Sequence, residues 1–310
     1  MKTLNVSTHA TRVTIFELAG GLGNQLFQYT AGLAYEARTG NPVAFDTSVI
    51  ERSSHNQGRI TESFNLNGQF VNLNEEYSRL RLTLLKTVSQ TSKLIPHAAK
   101  KLRFNRLVHT SKVTGLDDEL YDVPAGAFVR GYFQSHVYLD VLRETAAWQD
   151  LTIKNPSEWF LKQSARIREL EPNAIHLRRG DYVNLGHIYG LLSPAYYERV
   201  LSIANDAEQP KPWVIFSDSI QEADNLKLAC ASLSNSEVIS PPANTPAAES
   251  LILLSFCRTK AIANSTFSLW AAALGDSSAS VYAPQPWYRG LEDPDALLPT
   301  SWRRVQSSWL

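Results

Sequence analysis

Short apolar runs alternate with helical patterns through the second half of the chain, and this alternation constrains the fold more than any other feature. The apolar runs, each bounded by turn residues, lie at 174–177, 213–216, 238–239, 261–263 and 281–282. The helical patterns between them lie near 194–204, 220–231, 247–256 and 267–274. Strands that alternate with helices of this length indicate βαβ units, so the sequence predicts an α/β fold with a parallel sheet.

A glycine-rich segment marks a strand-to-helix connection in the first half. The apolar run 13–18 is followed by GGLGNQ at 20–25, after which apolar residues recur at helical spacing as far as Gly40. Glycines such as Gly21 and Gly23 let a ligand approach the backbone, and the N–H groups at the start of a helix attract an anion. The alternative is a plain tight connection. The dinucleotide-binding fingerprint is excluded, because its third glycine is missing.

The pattern predicts two α/β lobes. We expect an N-terminal lobe over 1–155, which contains the glycine-rich loop, and a C-terminal lobe over 156–310. A chain of 310 residues is long enough for two medium-sized domains or one large one. Pro156 is expected to occupy the first position of the helix that bridges the lobes. The run 128–133 predicts a further buried strand in the first lobe.

Composition excludes several classes of protein. The 30 basic and 30 acidic residues give a formal net charge of zero, so no nucleic-acid partner is expected. Two cysteines, Cys230 and Cys257, cannot build a disulfide framework or a four-ligand zinc site. No run approaches the roughly 18 apolar residues of a membrane span, and residues 1–12 contain no apolar core typical of a secretory signal. We expect a cytoplasmic protein.

The neutrality of the chain is a cancellation between segments. Residues 77–116 contain nine Lys and Arg and no acid, which leaves 21 basic against 30 acidic residues elsewhere. An apolar stripe flanked by basic residues is typical of a solvated helix face. A second interpretation is a surface for anionic lipid or a phosphate-bearing acceptor, in peripheral contact with the inner membrane surface.

Polar and basic residues cluster where the predicted strands of the second lobe end. In open parallel sheets ligands bind outside the carboxyl ends of the strands, and there the chain carries RRGD at 178–181, SD at 217–218 and NST at 264–266. Adjacent arginines offer forked donors that neutralise a pyrophosphate, both when it is bound and as it departs. With the glycine-rich loop on a second rim, this pattern predicts a nucleotide-sugar transferase.

Each segment also has a structural interpretation. Arg179 can bond Asp181 and fix the loop, which leaves Arg178 as the ligand-binding member of the pair. Asp218 accepts a hydrogen bond from a ribose hydroxyl or a base edge, or else it caps the following helix. The segment 264–266 can serve purely as a helix cap.

Metal chemistry has little support in the sequence. The Asp-x-Asp pair of Asp293 and Asp295 lies in a proline-rich segment typical of a turn, and a metal–diphosphate role for it is the minor alternative. The seven histidines show no H-x-x-x-H spacing, so no zinc site is predicted. We expect neither a metal nor a cofactor beyond the donor substrate.

Four segments together resemble the α-1,2-fucosyltransferases of glycosyltransferase family 11, in its bacterial branch. They are GGLGNQLFQY at 20–29, GYFQS at 131–135, HLRRGDY at 176–182 and NSTFSLW at 264–270. Weaker similarities occur at 46–48, 193–197, 216–218 and 283–287. All of them follow the family's order along most of the chain.

The resemblance implies a metal-independent enzyme of the GT-B type, with two Rossmann-like lobes whose parallel sheets face each other across a cleft. Such an enzyme moves L-fucose from GDP-β-L-fucose, with inversion, to the 2-hydroxyl of a terminal galactose on an oligosaccharide. The N-terminal lobe would take the acceptor and the C-terminal lobe the GDP-fucose.

The resemblance also implies roles for individual residues. Arg178 matches the arginine that binds the GDP pyrophosphate, and His176 matches a histidine near the donor nucleotide. The catalytic candidates are therefore Arg178, Asp181, His176 and Asn24, with Asp181 and His176 as open alternatives for the general base. The candidates for donor binding are Gly21, Gly23, Asn24, His176, Arg178, Asp218, Asn264, Ser265 and Thr266.

The chain departs from the family pattern at several positions, which affects the expected acceptor specificity more than the donor type. They are Glu249-Ser250, Arg258-Thr259, Leu269 and Ser219. Two other functions stay open at this point. One is an inverting transferase for another nucleotide sugar, and the other is a non-catalytic glycan-binding protein in which Trp270 and Trp287 stack on sugars.

Overall fold

The protein forms two compact units in a computed structural model that describes residues 12–52, 58–73, 108–149, 151–183, 185–204 and 211–310. Of the described residues, the first unit takes in 12–20, 27–52, 67–73 and 108–149, and the second takes in 21–26, 58–66, 151–183, 185–204 and 211–310. Most of the acid-free segment, at 77–107, lies outside the described residues. Its interpretation as a lipid-facing surface stays a prediction.

Strands and helices alternate along both units. Within the described ranges the strands are β1 (Thr14–Glu17), β2 (Val43–Asp46), β3 (Phe64–Asn65), β4 (Gln69–Val71), β5 (Val108–Thr110), β6 (Phe128–Arg130), β7 (Thr152–Ile153), β8 (Asn173–Leu177), β9 (Trp213–Ser217), β10 (Glu237–Ile239), β11 (Thr259–Ala261), β12 (Ser280–Gln285) and β13 (Arg303–Gln306). The α-helices are α1 (Leu22–Thr39), α2 (Ser48–Arg52), α3 (Ile60–Ser63), α4 (Val137–Glu144), α5 (Glu158–Leu170), α6 (Pro194–Ala204), α7 (Ile220–Ala229), α8 (Ala247–Ser255) and α9 (Thr266–Ala273). No helix in this described part of the chain is long and apolar enough to cross a membrane.

The first unit is built on five parallel strands in the order β4-β2-β1-β6-β5. Buried aromatic side chains hold α1 against the sheet, since the ring of Phe16 lies 5.8 Å from that of Tyr35 and 6.3 Å from that of Phe45. From β1 the chain builds outward to β4 and then returns to the other side of β1. The direction of winding therefore changes between β1 and β6.

The second unit is built on six parallel strands in the order β10-β9-β8-β11-β12-β13. The buried side chains of Ile175, Leu177 and Ile215 pack with α6 residues such as Tyr196 and Val200. From β8 the chain builds outward to β10 and then returns to β11 on the other side of β8. A ligand is expected outside the carboxyl ends of strands at such a change of winding. The two parallel sheets confirm the predicted α/β fold with Rossmann-like units.

Two local boundaries differ from the prediction. α1 begins at Leu22, so Gly23 lies in its first turn rather than in the loop before it. The predicted strand 128–133 ends at Arg130, and Phe133 has a positive φ of 52° that no strand residue adopts. The pattern of apolar residues predicts that these elements exist, but it does not predict the residue at which each begins or ends.

The start of α5 also differs, because Pro156 precedes the helix instead of occupying its first position. Ser157 is the N-cap, and its hydroxyl accepts a hydrogen bond from the N–H of Phe160 at 3.1 Å. The buried carboxylate of Glu249 accepts from the N–H of Ser157 at 2.8 Å and from its hydroxyl at 2.6 Å. A side chain 92 residues away therefore fixes where this helix begins.

Lys260 on β11 is a fully buried lysine. Its Nζ donates to the carbonyl oxygen of Cys257 at 2.6 Å, and burial lowers the pKa of Lys260 to about 8. In the unfolded chain the lysine has its ordinary pKa of 10.5. Between these two values the unfolded chain binds more protons than the folded one, so the free energy of unfolding rises with pH.

We predict that the free energy of unfolding rises by up to about 1.4 kcal/mol between pH 8 and pH 9, and that the variant Lys260→Met loses this rise. Chemical denaturation of both proteins across this window measures the difference. The window ends at pH 9 because burial raises the pKa of Cys257 to about 12, so above pH 9 this thiol ionises only in the unfolded chain and offsets the rise. Equal slopes in the two proteins would contradict the assignment.

Candidate functional site

The candidate site lies in the second unit, where β8, β9 and β11 end and the winding changes direction. Arg178 follows β8, Asp218 follows β9, and the segment 264–266 leads from β11 into α9. The three polar segments singled out in the sequence therefore lie at the same edge of one sheet. Parallel pairing of β8 with both neighbours brings their carboxyl ends together.

Arg178 and Asp218 form an ion pair across the ends of β8 and β9. Nη1 of Arg178 lies 2.7 Å from Oδ2 of Asp218, and the backbone N–H of Arg179 donates to Oδ1 at 2.9 Å. The side chains of Arg178 and Asp218 are 26% and 27% exposed. Asp218 thus holds the guanidinium of Arg178 in place while part of its surface stays accessible to an anion. The cap of α7 is Ser219, whose hydroxyl accepts from the N–H of Glu222 at 3.3 Å.

Gly180 makes this arrangement sterically feasible. Its φ is +23°, and a Cβ at this position would lie 2.6 Å from Oδ2 of Asp218. Any larger residue would push the carboxylate away from Arg178. The glycine of the RRGD segment is therefore a steric requirement of the ion pair.

Arg179 is buried, and its guanidinium is bonded within the protein. Nε donates to Oε2 of Glu222 at 3.0 Å, Nη1 to the carbonyl oxygen of Arg178 at 3.1 Å, and Nη2 to that of Leu192 at 3.0 Å. Arg179 fixes the loop and bonds Glu222, an acid that the sequence analysis did not single out, while its predicted bond with Asp181 stays a prediction. The side chain of Asp181 lies outside the described residues.

His176 is buried on β8, two residues before Arg178. Its ring stacks on Phe267 of α9, with centroids 5.4 Å apart and an interplanar angle of 25°. Burial, reinforced by the nearby charge of Arg178, lowers the pKa of His176 to about 3, so the imidazole is neutral near pH 7. Such a weak base accepts a proton poorly, which argues against His176 as the general base.

The three residues after β11 have separate contacts. Asn264 is buried, and its Nδ2 donates to the carbonyl oxygens of Tyr189 at 2.8 Å and Gly190 at 3.1 Å. Ser265 caps α9, since its hydroxyl accepts from the N–H of Phe267 at 3.3 Å. Thr266 begins the helix and is half-buried. Asn264 thus fixes a neighbouring loop, while Ser265 and Thr266 form the helix start.

The first turn of α1 packs against the first turn of α9. A Cβ at Gly23 would lie 2.6 Å from both the carbonyl carbon and Oγ1 of Thr266, so only glycine allows this approach. In the same turn, and also within the second unit, Nε2 of Gln25 donates to the carbonyl oxygen of Gly58 and Oε1 accepts from the N–H of Ile60, both at 3.0 Å. Two helix N-termini, each the positive end of a helix dipole, therefore meet beside the strand ends.

Gly21 directly precedes that turn of α1, and Asn24 lies in it. The N–H of Asn24 donates to the carbonyl oxygen of Gly21 at 3.0 Å, which closes the turn. The predicted glycine-rich residues and the segment 264–266 are thus brought together, although about 240 residues separate them in the chain. A partly exposed arginine, two helix N-termini and a neutral imidazole form a site suited to a phosphate anion.

Other residues from the sequence analysis lie apart from this site. Oδ1 of Asp293 accepts from the N–H groups of Trp287 at 2.6 Å and Tyr288 at 3.1 Å, which is the turn that the sequence predicted. Within the described ranges, no three His, Cys, Asp or Glu side chains are grouped so as to hold a metal ion. Trp270 and Trp287 are only 1% exposed, so the expectation that they stack on glycans is wrong. Both side chains are part of the core.

Two Rossmann-like units with parallel sheets are the architecture of the GT-B class of glycosyltransferases. The chain belongs to glycosyl transferase family 11, whose model matches residues 13–292. This match confirms the family that four short segments indicated.

Two curated relatives come from Escherichia coli. The chain is 25% identical over 291 residues to the O-antigen biosynthesis glycosyltransferase WbnK, which covers 88% of this chain and 94% of the relative. It is 26% identical over 306 residues to an alpha-1,2-colitosyltransferase, and this match covers 95% of this chain and 99% of the relative. Among solved structures, NodZ alpha-1,6-fucosyltransferase soaked with GDP-fucose matches with a TM-score of 0.50 and 16% identity, over 85% of this chain and 92% of that one. The last match concerns the fold alone.

We predict that Arg179→Lys lowers the free energy of unfolding by about 2 kcal/mol, whereas Arg178→Ala lowers it by less than about 1 kcal/mol. A lysine cannot make the three hydrogen bonds of the buried Arg179 guanidinium, and it leaves Glu222 without this partner. Arg178, by contrast, makes a partly exposed pair. Urea denaturation of the two variants measures both values. Equal losses would contradict the division between a structural and a ligand-binding arginine.

Proposed function

We propose that the protein moves L-fucose from GDP-β-L-fucose, with inversion at the anomeric carbon, to the 2-hydroxyl of a terminal galactose on an oligosaccharide. The observation that carries this proposal is the partly exposed Arg178, fixed by Asp218 beside two helix N-termini. Positive charge in this arrangement suits a nucleoside diphosphate, which is the part of the donor that the protein would bind and also the leaving group. Similarity to the family of fucosyltransferases supports the choice of sugar.

Arg178 would stabilise the negative charge that develops on the diphosphate as its bond to the anomeric carbon breaks. Because Asp218 and the N–H of Arg179 already hold the loop, little reorganisation is needed when that charge appears. The N–H groups at the start of α9 and the hydroxyl of Thr266 are the other proposed donors. We propose a metal-independent reaction, with the positive charge supplied by Arg178 and the helix ends.

Asp181 is the proposed general base, which takes the proton of the acceptor hydroxyl as that oxygen attacks. It lies three residues after Arg178, in the 3₁₀ turn Gly180–Val183 at the same strand end. His176 is the weaker candidate, because its low pKa makes it a poor proton acceptor. Its proposed role is instead a neutral polar contact to the donor, since its buried Nδ1 has no hydrogen-bond partner among the described residues.

A second donor sugar is favoured by one comparison. The 26% identity to an alpha-1,2-colitosyltransferase over nearly the whole chain supports a GDP-linked colitose as the alternative. Colitose is a fucose that lacks one ring hydroxyl. In this alternative we propose GDP as its carrier, so that the same nucleotide would leave. The diphosphate site described above would serve either donor.

We predict that GDP-fucose and a galactose-terminated acceptor yield an α-1,2-linked product, identified by NMR of the new glycosidic linkage. Acceptors that end in glucose should stay unmodified, and GDP should raise the thermal midpoint more than UDP or CDP at equal concentration.

The variant Asp181→Asn should keep the rise in thermal midpoint with GDP and lose turnover. Faster transfer from GDP-linked colitose would select the alternative sugar, and a preference for UDP would reject both.

A further inference from the structure

Tyr132 is an exposed aromatic side chain at the functional edge of the first unit. It follows β6 by two residues and is 47% exposed. Several large hydrophobic side chains are exposed in the described part of the chain, and Tyr132 is the one aromatic residue among them. The carboxyl ends of β1 and β6, where the winding of this sheet changes direction, are the place where a ligand of this unit is expected.

The backbone around Tyr132 is fixed rather than loose. Phe133 adopts a φ of +52° while its ring is buried against Phe16 at 6.2 Å and Tyr138 at 6.1 Å. The carbonyl oxygen of Gly131 accepts from Nε2 of buried Gln28 at 3.0 Å. Strain of this kind persists only where the surroundings impose it, and it is concentrated at binding sites. Here it places one aromatic ring in the core and the preceding one in solvent.

An ion pair lies at the ends of β1 and β6, and its β6 member is two residues before Tyr132 in the chain. Nε of Arg130, at the end of β6, donates to Oε1 of Glu17, at the end of β1, over 2.8 Å. The side chain of Arg130 is 35% exposed, and that of Glu17 is largely buried. The guanidinium and the carboxylate of this pair offer donors and an acceptor to the hydroxyl groups of a neutral ligand.

We propose that Tyr132 is a stacking platform for a pyranose ring of the acceptor oligosaccharide, with Arg130 and Glu17 binding that sugar's hydroxyl groups. An exposed aromatic face covers the apolar C–H face of a sugar, and charged neighbours bind its rim. The acceptor identity rests on the function proposed above. The carbohydrate site itself rests on the exposure, the fixed loop and the ion pair.

The test measures steady-state kinetics with GDP-fucose and lactose for the wild-type protein, Tyr132→Ala, Tyr132→Phe and Leu161→Ala. Leu161, 55% exposed on α5 of the second unit, is the control for loss of an exposed apolar side chain. We expect Tyr132→Ala to raise the KM for lactose about tenfold, while the KM for GDP-fucose stays unchanged. Tyr132→Phe keeps the ring and should stay within about twofold of the wild type. An unchanged lactose KM in Tyr132→Ala would overturn the proposal.

A second readout needs no transfer reaction. Saturation-transfer NMR with lactose alone should show binding to the wild type and to Tyr132→Phe, and a loss of binding in Tyr132→Ala. If no fucosylated product forms but this pattern holds, the proposed function fails and the sugar site stands. If product forms and Tyr132→Ala behaves as the wild type does, the site fails and the function stands. Absence of both transfer and lactose binding in the wild type would reject both.

Discussion

The carboxylate of Asp218 is the interaction on which the site depends. One oxygen binds the guanidinium of Arg178 and the other binds the backbone of the next residue, so a single side chain fixes both the arginine and its loop. Gly180 leaves the space that this carboxylate needs. The buried side chain of Arg179 stabilises the same loop, because it donates hydrogen bonds to Glu222 of α7 and to the carbonyl oxygen of Leu192. Arg179 is therefore structural, and Arg178 is the arginine that we propose binds the ligand.

The charge needed for this chemistry is local. A chain with no net charge has no long-range field to attract an anionic donor, so affinity must come from a few fixed groups. Arg178 supplies a guanidinium whose charge Asp218 balances in part, and the N-termini of α1 and α9 add partial positive charges without adding a side chain. His176 stays neutral near pH 7, because its burial, reinforced by the charge of Arg178, lowers its pKa to about 3.

Much of the second unit could be predicted from the sequence, because each of its elements has its own local signal. The helical pattern 194–204 matches α6, and the apolar run 174–177 lies within β8. Periodicity and turn residues suffice for elements of this kind. Because ligands bind outside the carboxyl ends of parallel strands, the sequence also predicted that Arg178, Asp218 and the segment 264–266 lie at one edge of the sheet.

The remainder depends on contacts that no local pattern reports. Gly23 is required by Thr266, and Ser157 is fixed by Glu249, in both cases by a residue far away in the chain. The partner of Arg179 is Glu222, whose only local signal is its place in the first turn of a helix. Tryptophans suit either a core or a sugar platform, and only the packing shows that Trp270 is buried.

The central claim is that Arg178 recognises the terminal phosphate of a nucleoside diphosphate. Calorimetric titration of the wild type and Arg178→Ala with GDP and with GMP tests it most directly, since the two nucleotides differ only in that phosphate. The account predicts that the wild type prefers GDP by about tenfold or more, and that this preference largely disappears in the variant while GMP affinity changes little. An unchanged ratio of GDP to GMP affinity in Arg178→Ala would contradict it.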